Sequence, residues 1–80
     1  MKTLQVRYFA VLREQRGLAE ETLATEAPTP EALYEELRHK YRFTLPAARL
    51  RYAVEGEFAA PTTLLKSGDT VVFVPPVAGG

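Results

Sequence analysis

The chain has 80 residues, with ten Lys and Arg balanced by ten Asp and Glu and a formal net charge of zero. That length supports one domain with one core, and the even charge argues against a general nucleic-acid binder, which carries a basic excess. With no cysteine there is no disulfide, thiolate nucleophile or cysteine-ligated metal, and His39, the single histidine, cannot build a metal site alone.

No apolar run approaches the ~20 residues of a membrane span. The N-terminus, Met1 to Gln5, starts a strand pattern and not a signal-peptide core. The expectation is a cytoplasmic chain that engages neither membrane nor nucleic acid.

Leu4, Val6 and Tyr8 alternate with Thr3, Gln5 and Arg7, the period of a half-buried strand. Phe9 shares the parity of the polar set, so it should face away from the core. Ala10 to Arg16 reads as a short helix stopped by Gly17. Thr22 to Thr25 reads as a second strand, which makes the first two strands a hairpin with a helical insert. Thr29 is a candidate N-cap, Pro30 suits the first helical position and Glu31 complements the helix dipole. Leu33 with Leu37, and Tyr34 with Tyr41, then line one stripe of a long helix at about Glu31 to Lys40. Arg38, His39 and Lys40 put positive charge at its C-terminal end.

Pro46 begins a connector with a helical turn at Ala47 to Leu50. Tyr52-Ala53-Val54 and Phe58-Ala59-Ala60 flank Glu55-Gly56-Glu57, a tight hairpin with Gly56 at a positive-φ position. Lys66 to Asp69 is a further turn. Thr70 to Val74 is apolar on both parities after its first residue, as a central strand is. The expected fold class is α+β, a β-grasp (ubiquitin-like) domain with a mixed sheet wrapped around one long helix, plus a short helix. Residues 1–74 form that domain and 75–80 an extended flexible tail. Leu4, Val6, Tyr8, Leu33, Leu37, Val71 and Phe73 are its expected core.

Pro75 and Pro76 lack amide donors, so the sheet should end before them. Six extended residues reach up to roughly 20 Å. Gly17, Gly56 and Gly68 each serve a turn, whereas Gly79 and Gly80 do not. Two terminal glycines arise by chance in roughly 0.5% of chains, so a frayed end is the weaker reading. A tip without side chains fits a narrow tunnel. The Gly80 α-carboxylate, with a reference pKa of about 3.5, is an anion and a poor electrophile at neutral pH. Activated as a mixed anhydride with AMP, it can accept sulfur to become a thiocarboxylate, or an amine to become an amide.

Nothing else in the chain offers a nucleophile and base. His39 near a helix end reads as a solvated or dipole-paired side chain. Glu20-Glu21 and Glu35-Glu36 are adjacent acids whose side chains point apart. Tyr8, Tyr34, Tyr41 and Tyr52 read as core or semi-core aromatics.

Phe9-Ala10-Val11-Leu12-Arg13-Glu14, Leu65-Lys66-Ser67-Gly68-Asp69-Thr70-Val71 and Phe73 through Gly80 resemble signatures of the small subunit of molybdopterin synthase, also called molybdopterin-converting factor subunit 1. Tyr52 to Glu57 resembles that family's hairpin except at Glu55, where asparagine is usual. The resemblance covers essentially the whole chain. It implies a non-catalytic sulfur carrier that binds no cofactor. An E1-like adenylating enzyme spends ATP on the Gly80 carboxylate, and a sulfur donor converts it to a thiocarboxylate. The tail then enters the large subunit, in an expected heterotetramer, and gives sulfur to the cyclic pterin precursor of the molybdopterin dithiolene. Phe9, Phe58 and Val74 match the family's partner-facing set, and Pro75, Pro76, Val77, Ala78, Gly79 and Gly80 match the tail that enters the partner. The alternatives are a thiamine-type sulfur carrier and a ubiquitin-like modifier joined to target lysines through Gly80.

Overall fold

The computed structural model describes residues 1–76. Its elements run β1 (Lys2–Arg7), α1 (Ala10–Arg16), β2 (Glu20–Thr25), α2 (Pro30–Tyr41), a 3₁₀ turn (Ala47–Arg49), β3 (Arg51–Val54), β4 (Glu57–Ala59) and β5 (Thr70–Val74). The strands form one mixed sheet in the order β2-β1-β5-β3-β4, with β1 and β5 parallel and the other neighbours antiparallel. β5 is therefore central, as its two-sided apolar sequence predicts.

The helix signals act where the sequence puts them. Thr29 Oγ1 accepts a hydrogen bond from the Ala32 amide at 3.2 Å, and Pro30 stands in the first turn of α2. Arg42, at φ +57°, closes the helix, and its amide returns to the Arg38 carbonyl. Gly17 ends α1 at φ +82°, with its amide on the Arg13 carbonyl at 2.9 Å. In the β3–β4 turn both Glu55 (φ +52°) and Gly56 (φ +84°) are left-handed. That is the turn whose twist matches a two-residue hairpin, and asparagine or glycine normally fills it. Glu55 is held there by a second contact. Its carboxylate accepts from the Thr70 amide at 2.7 Å, while its own amide donates to the Thr70 carbonyl at 3.0 Å.

α2 covers one face of the sheet. The seven expected core residues, Leu4, Val6, Tyr8, Leu33, Leu37, Val71 and Phe73, are all buried. Leu12, Tyr34, Phe43, Leu50, Tyr52 and Leu65 complete the cluster. Phe73, fully buried on the central strand, is ringed by Tyr8, Tyr34 and Tyr52 at centroid distances of 6.0, 5.2 and 5.9 Å. Each such pair adds about 0.5–1.5 kcal/mol beyond the area it buries. The Tyr34 hydroxyl donates to the Leu45 carbonyl at 2.6 Å, which ties the connector to α2. Burial raises the Tyr34 hydroxyl to a pKa of about 12, so it remains a donor at neutral pH.

A polar network fastens α1 to the sheet. Arg16 donates twice to Glu21 on β2, at 2.9 and 2.8 Å, and the Tyr8 hydroxyl donates to the same carboxylate at 2.6 Å. The Arg16 guanidinium also lies 4.0 Å from the centroid of the Tyr41 ring at the end of α2. The Arg16 hydrogen bonds hold the Glu21 carboxyl below its ordinary pKa despite partial burial, and burial raises the Tyr8 hydroxyl. Bidentate geometry and partial burial put this pair above the usual exposed ion pair.

Two stability predictions follow from this packing. Phe73→Ala should lose about 3–5 kcal/mol in urea unfolding, whereas truncating the exposed Phe58 should stay within ~0.5 kcal/mol of wild type. Because the folded pKa of Glu21 is depressed, its stabilisation is full above the ordinary value of 4.5 and is lost as pH falls through the folded value. The stability gap between wild type and Glu21→Gln, measured by denaturant melts across pH, should therefore be widest near neutrality and close in acid.

Candidate docking face and tail exit

Strand alternation sends Val71 and Phe73 toward α2, so Thr70, Val72 and Val74 occupy the helix-free face. Pairing continues that face across the sheet. Val72 is in register with Arg7 of β1 and with Ala53 of β3, and Ala53 is in register with Phe58 of β4. One row thus reads Arg7, Val72, Ala53, Phe58. Val74 is opposite Arg51 in the next row. Phe9 and Val74 each stand two residues beyond the registered pair Arg7 and Val72.

Phe58 is 73% exposed and Phe9 is 43% exposed, and Val74 is half-buried. Phe9 lies beyond the end of β1, as the N-cap residue of α1 in extended conformation. It nonetheless keeps the side that its parity predicts. The Arg7 guanidinium, on the outer face, sits 5.6 Å from the centroid of the Phe9 ring. The next residue, Ala10, has φ +51°, a left-handed conformation that costs an alanine roughly 1–2 kcal/mol. This strained corner carries the chain from β1 into α1 and so fixes where Phe9 stands.

β5 ends at Val74, and Pro75 (half-buried) and Pro76 (exposed) follow outside any element. The chain leaves the sheet at the end of the row that holds Val74 and Arg51. Val77, Ala78, Gly79 and Gly80 lie outside the described residues.

Charges border the apolar strip. Arg7 approaches Glu20 at 3.6 Å, both more than half exposed. Arg51 is exposed and, among the described residues, forms no ion pair. Beside Phe58 lies a cleft of about 300 Å³ lined by Leu50, Arg51, Tyr52, Phe58, Ala59 and Pro61. Neither the cleft nor Arg51 is singled out by reading the sequence, although Arg51 shares the parity of Ala53, the signal that would have placed it outside. Leu64, 74% exposed in the loop before β5, is another apolar residue that sequence pattern passes over.

The described residues hold no group of three His, Cys, Asp or Glu placed to bind a metal ion. No helix among them is long and apolar enough to cross a membrane. His39 is exposed, and Glu20 and Glu21 serve separate arginines and form no acid pair.

A five-stranded mixed sheet in this order, clasping one long helix, defines a ubiquitin-like β-grasp protein. The chain belongs to the ThiS family, whose model matches residues 6–80. The molybdopterin synthase sulfur carrier subunits of Haemophilus influenzae and Escherichia coli are each 32% identical to it, over 96% of this chain and 99% of theirs. A putative molybdopterin converting factor subunit 1 from Pyrococcus furiosus superposes with a TM-score of 0.78 at 29% identity, covering 96% of this chain and all of that one. A chain of the complex of molybdopterin-converting factor subunits 1 and 2 from Helicobacter pylori has a TM-score of 0.66 at 23% identity, over 98% of this chain and 99% of that one; that likeness shows the fold alone.

If the strip is a surface and not a second core, Phe9→Ala and Phe58→Ala should leave the thermal midpoint within a few degrees of wild type. A loss comparable to that of Phe73→Ala would place those rings in the core.

Proposed function

We propose that this chain is the sulfur carrier subunit of a molybdopterin synthase, with the Gly80 carboxylate as its working group. One observation carries the reading. The likeness to carrier subunits runs the length of the chain, and the family match extends through residue 80 and so includes Gly79-Gly80.

The chemistry divides between the tail and its partners. A carboxylate oxygen attacks the α-phosphorus of ATP on an E1-like adenylating enzyme, and pyrophosphate leaves. A sulfur donor then displaces AMP, leaving a thiocarboxylate. ATP is consumed by that enzyme and is not held by this chain. The carrier contributes no acid or base. It contributes a reach of six residues from Pro75 to Gly80, a tip with no side chain, and a rigid face that aims it. The partner is the large subunit of the synthase, in a heterotetramer. The 32%-identical relatives, each named as a subunit of a molybdopterin synthase, support that choice of partner. There the thiocarboxylate sulfur bonds to the cyclic pterin precursor, and water then cleaves the acyl carbon–sulfur bond, which leaves the sulfur on the pterin and returns the carrier to the carboxylate form. The setting is the cytoplasm, where ATP and the adenylating enzyme meet the carrier.

Phe9, Phe58 and Val74 are the docking residues in this reading. An apolar strip on so small a domain is the form an interface takes, and aromatic anchors commonly cost ~2 kcal/mol or more when truncated. Phe9→Ala and Phe58→Ala should each weaken association with the large subunit roughly thirtyfold or more in titration calorimetry.

Gly80 itself is tested by truncation. A chain lacking Gly79 and Gly80 should keep its thermal midpoint, because the last strand ends at Val74, and should lose sulfur loading and molybdopterin formation with purified partners. Formation of molybdopterin by the truncated chain would sink the proposal. Conjugates of higher mass in cell extract would assign Gly80 to protein modification instead.

A further inference from the structure

The cleft beside Phe58 is not needed to explain the apolar strip, yet it opens next to it. Four of its six lining residues, Leu50, Phe58, Ala59 and Pro61, are apolar. Its volume of about 300 Å³ lies at the lower bound of small-molecule sites and suits an inserted side chain. Arg51 supplies its only charge.

The acids of the outer face are already engaged. Glu20 lies toward Arg7, on the far side of the sheet. Glu55, at the opposite end of β3 from Arg51, has its carboxylate on the Thr70 amide. Among the described residues, Arg51 is thus left without a counter-charge on its own face. Tyr52 also lines the cleft, but its ring packs on Phe73 at the α2 face, on the opposite side of β3 from Arg51. Tyr52 is buried, and its hydroxyl has no hydrogen-bond partner among the described residues. Burial raises that hydroxyl to a pKa of about 12, so it carries its proton at neutral pH. The exposed guanidinium at the rim of these apolar walls calls for an acceptor with an aliphatic stem.

We propose that this cleft receives a carboxylate-bearing side chain of the docking partner, with Arg51 as its counter-ion. The inference rests on the docking reading above and adds the partner's chemistry to it. Because Arg51 is in register with Val74, the ion pair forms beside the point where the chain leaves the sheet. It therefore orients the carrier on its partner and sets the direction of the tail. An exposed charge at such a rim acts mainly on encounter rate and salt dependence.

The test measures association of the whole chain with the purified large subunit, by stopped flow and calorimetry, at about 0.02 and 0.5 M salt. Arg51→Gln should weaken binding about tenfold at low salt and Arg51→Glu about a hundredfold, chiefly through slower association, and both gaps should shrink severalfold at high salt. Thermal melts of both variants should match wild type, since Arg51 is exposed. If both variants bind within about twofold of wild type at low salt while Phe58→Ala binds weakly, the inference is overturned and the docking face stands. If Phe9→Ala, Phe58→Ala and the Arg51 variants all bind as wild type does, both readings fall. Concentration-dependent self-association of wild type that Arg51→Gln abolishes would seat a second copy in the cleft, and so would also overturn the inference.

Discussion

β1 and β5, from opposite ends of the chain, run parallel at the middle of the sheet, and the turn before β5 fixes how they meet. The Gly68 amide donates to the Thr3 carbonyl at 2.7 Å, the Thr3 amide donates to Ser67 Oγ at 3.1 Å, and the Gln5 amide donates to the Asp69 carbonyl at 3.0 Å. Asp69 closes the turn by accepting from the Lys66 amide at 2.8 Å. Gly68 sits at φ +94°, a conformation that suits a residue without a side chain. A shift of one residue here would exchange Val71 and Phe73 for Val72 and Val74 on the core face. The aromatic ring around Phe73 and the apolar strip on the other face therefore depend on the same register.

That register also links packing to function. Residues that face α2 hold the domain together, and their alternates in β5 face outward beside Phe58 and Phe9. The strand that bears them is the one that passes into Pro75 and Pro76. A reactive group at Gly80 carries no positional information of its own. In the function proposed above, its aim comes from the scaffold, and the partner reads the sheet face. In that function, activation and sulfur supply fall to the partners, and the carrier supplies a recognisable face.

Much of the fold was legible because it rests on local rules. Period two in Leu4, Val6 and Tyr8, the Thr29-Pro30 start of α2 and the Gly17 stop of α1 each act within a few residues. The harder parts depend on contacts between distant segments. Phe43, Leu50 and Leu65 join the core from irregular stretches where no period marks them. The Arg16–Glu21–Tyr8 network is assembled from three elements, and no one of those residues signals it alone. Glu55 departs from the asparagine usual at that turn, and the Thr70 amide that its carboxylate meets lies fifteen residues away. At the candidate site, parity correctly turned Phe9, Val72 and Val74 outward. The cleft could not be foreseen, because Leu50, Phe58 and Pro61 are brought together by the β3–β4 hairpin and the loop after it.

The central claim is that Gly80 carries sulfur. Intact-mass analysis of the protein isolated from its own cell tests it most directly. The account predicts a population in which one oxygen of the terminal carboxylate is replaced by sulfur, and this form should vanish when the adenylating enzyme is deleted. A protein found only as the free carboxylate, under conditions in which the cell is making molybdopterin, would contradict it.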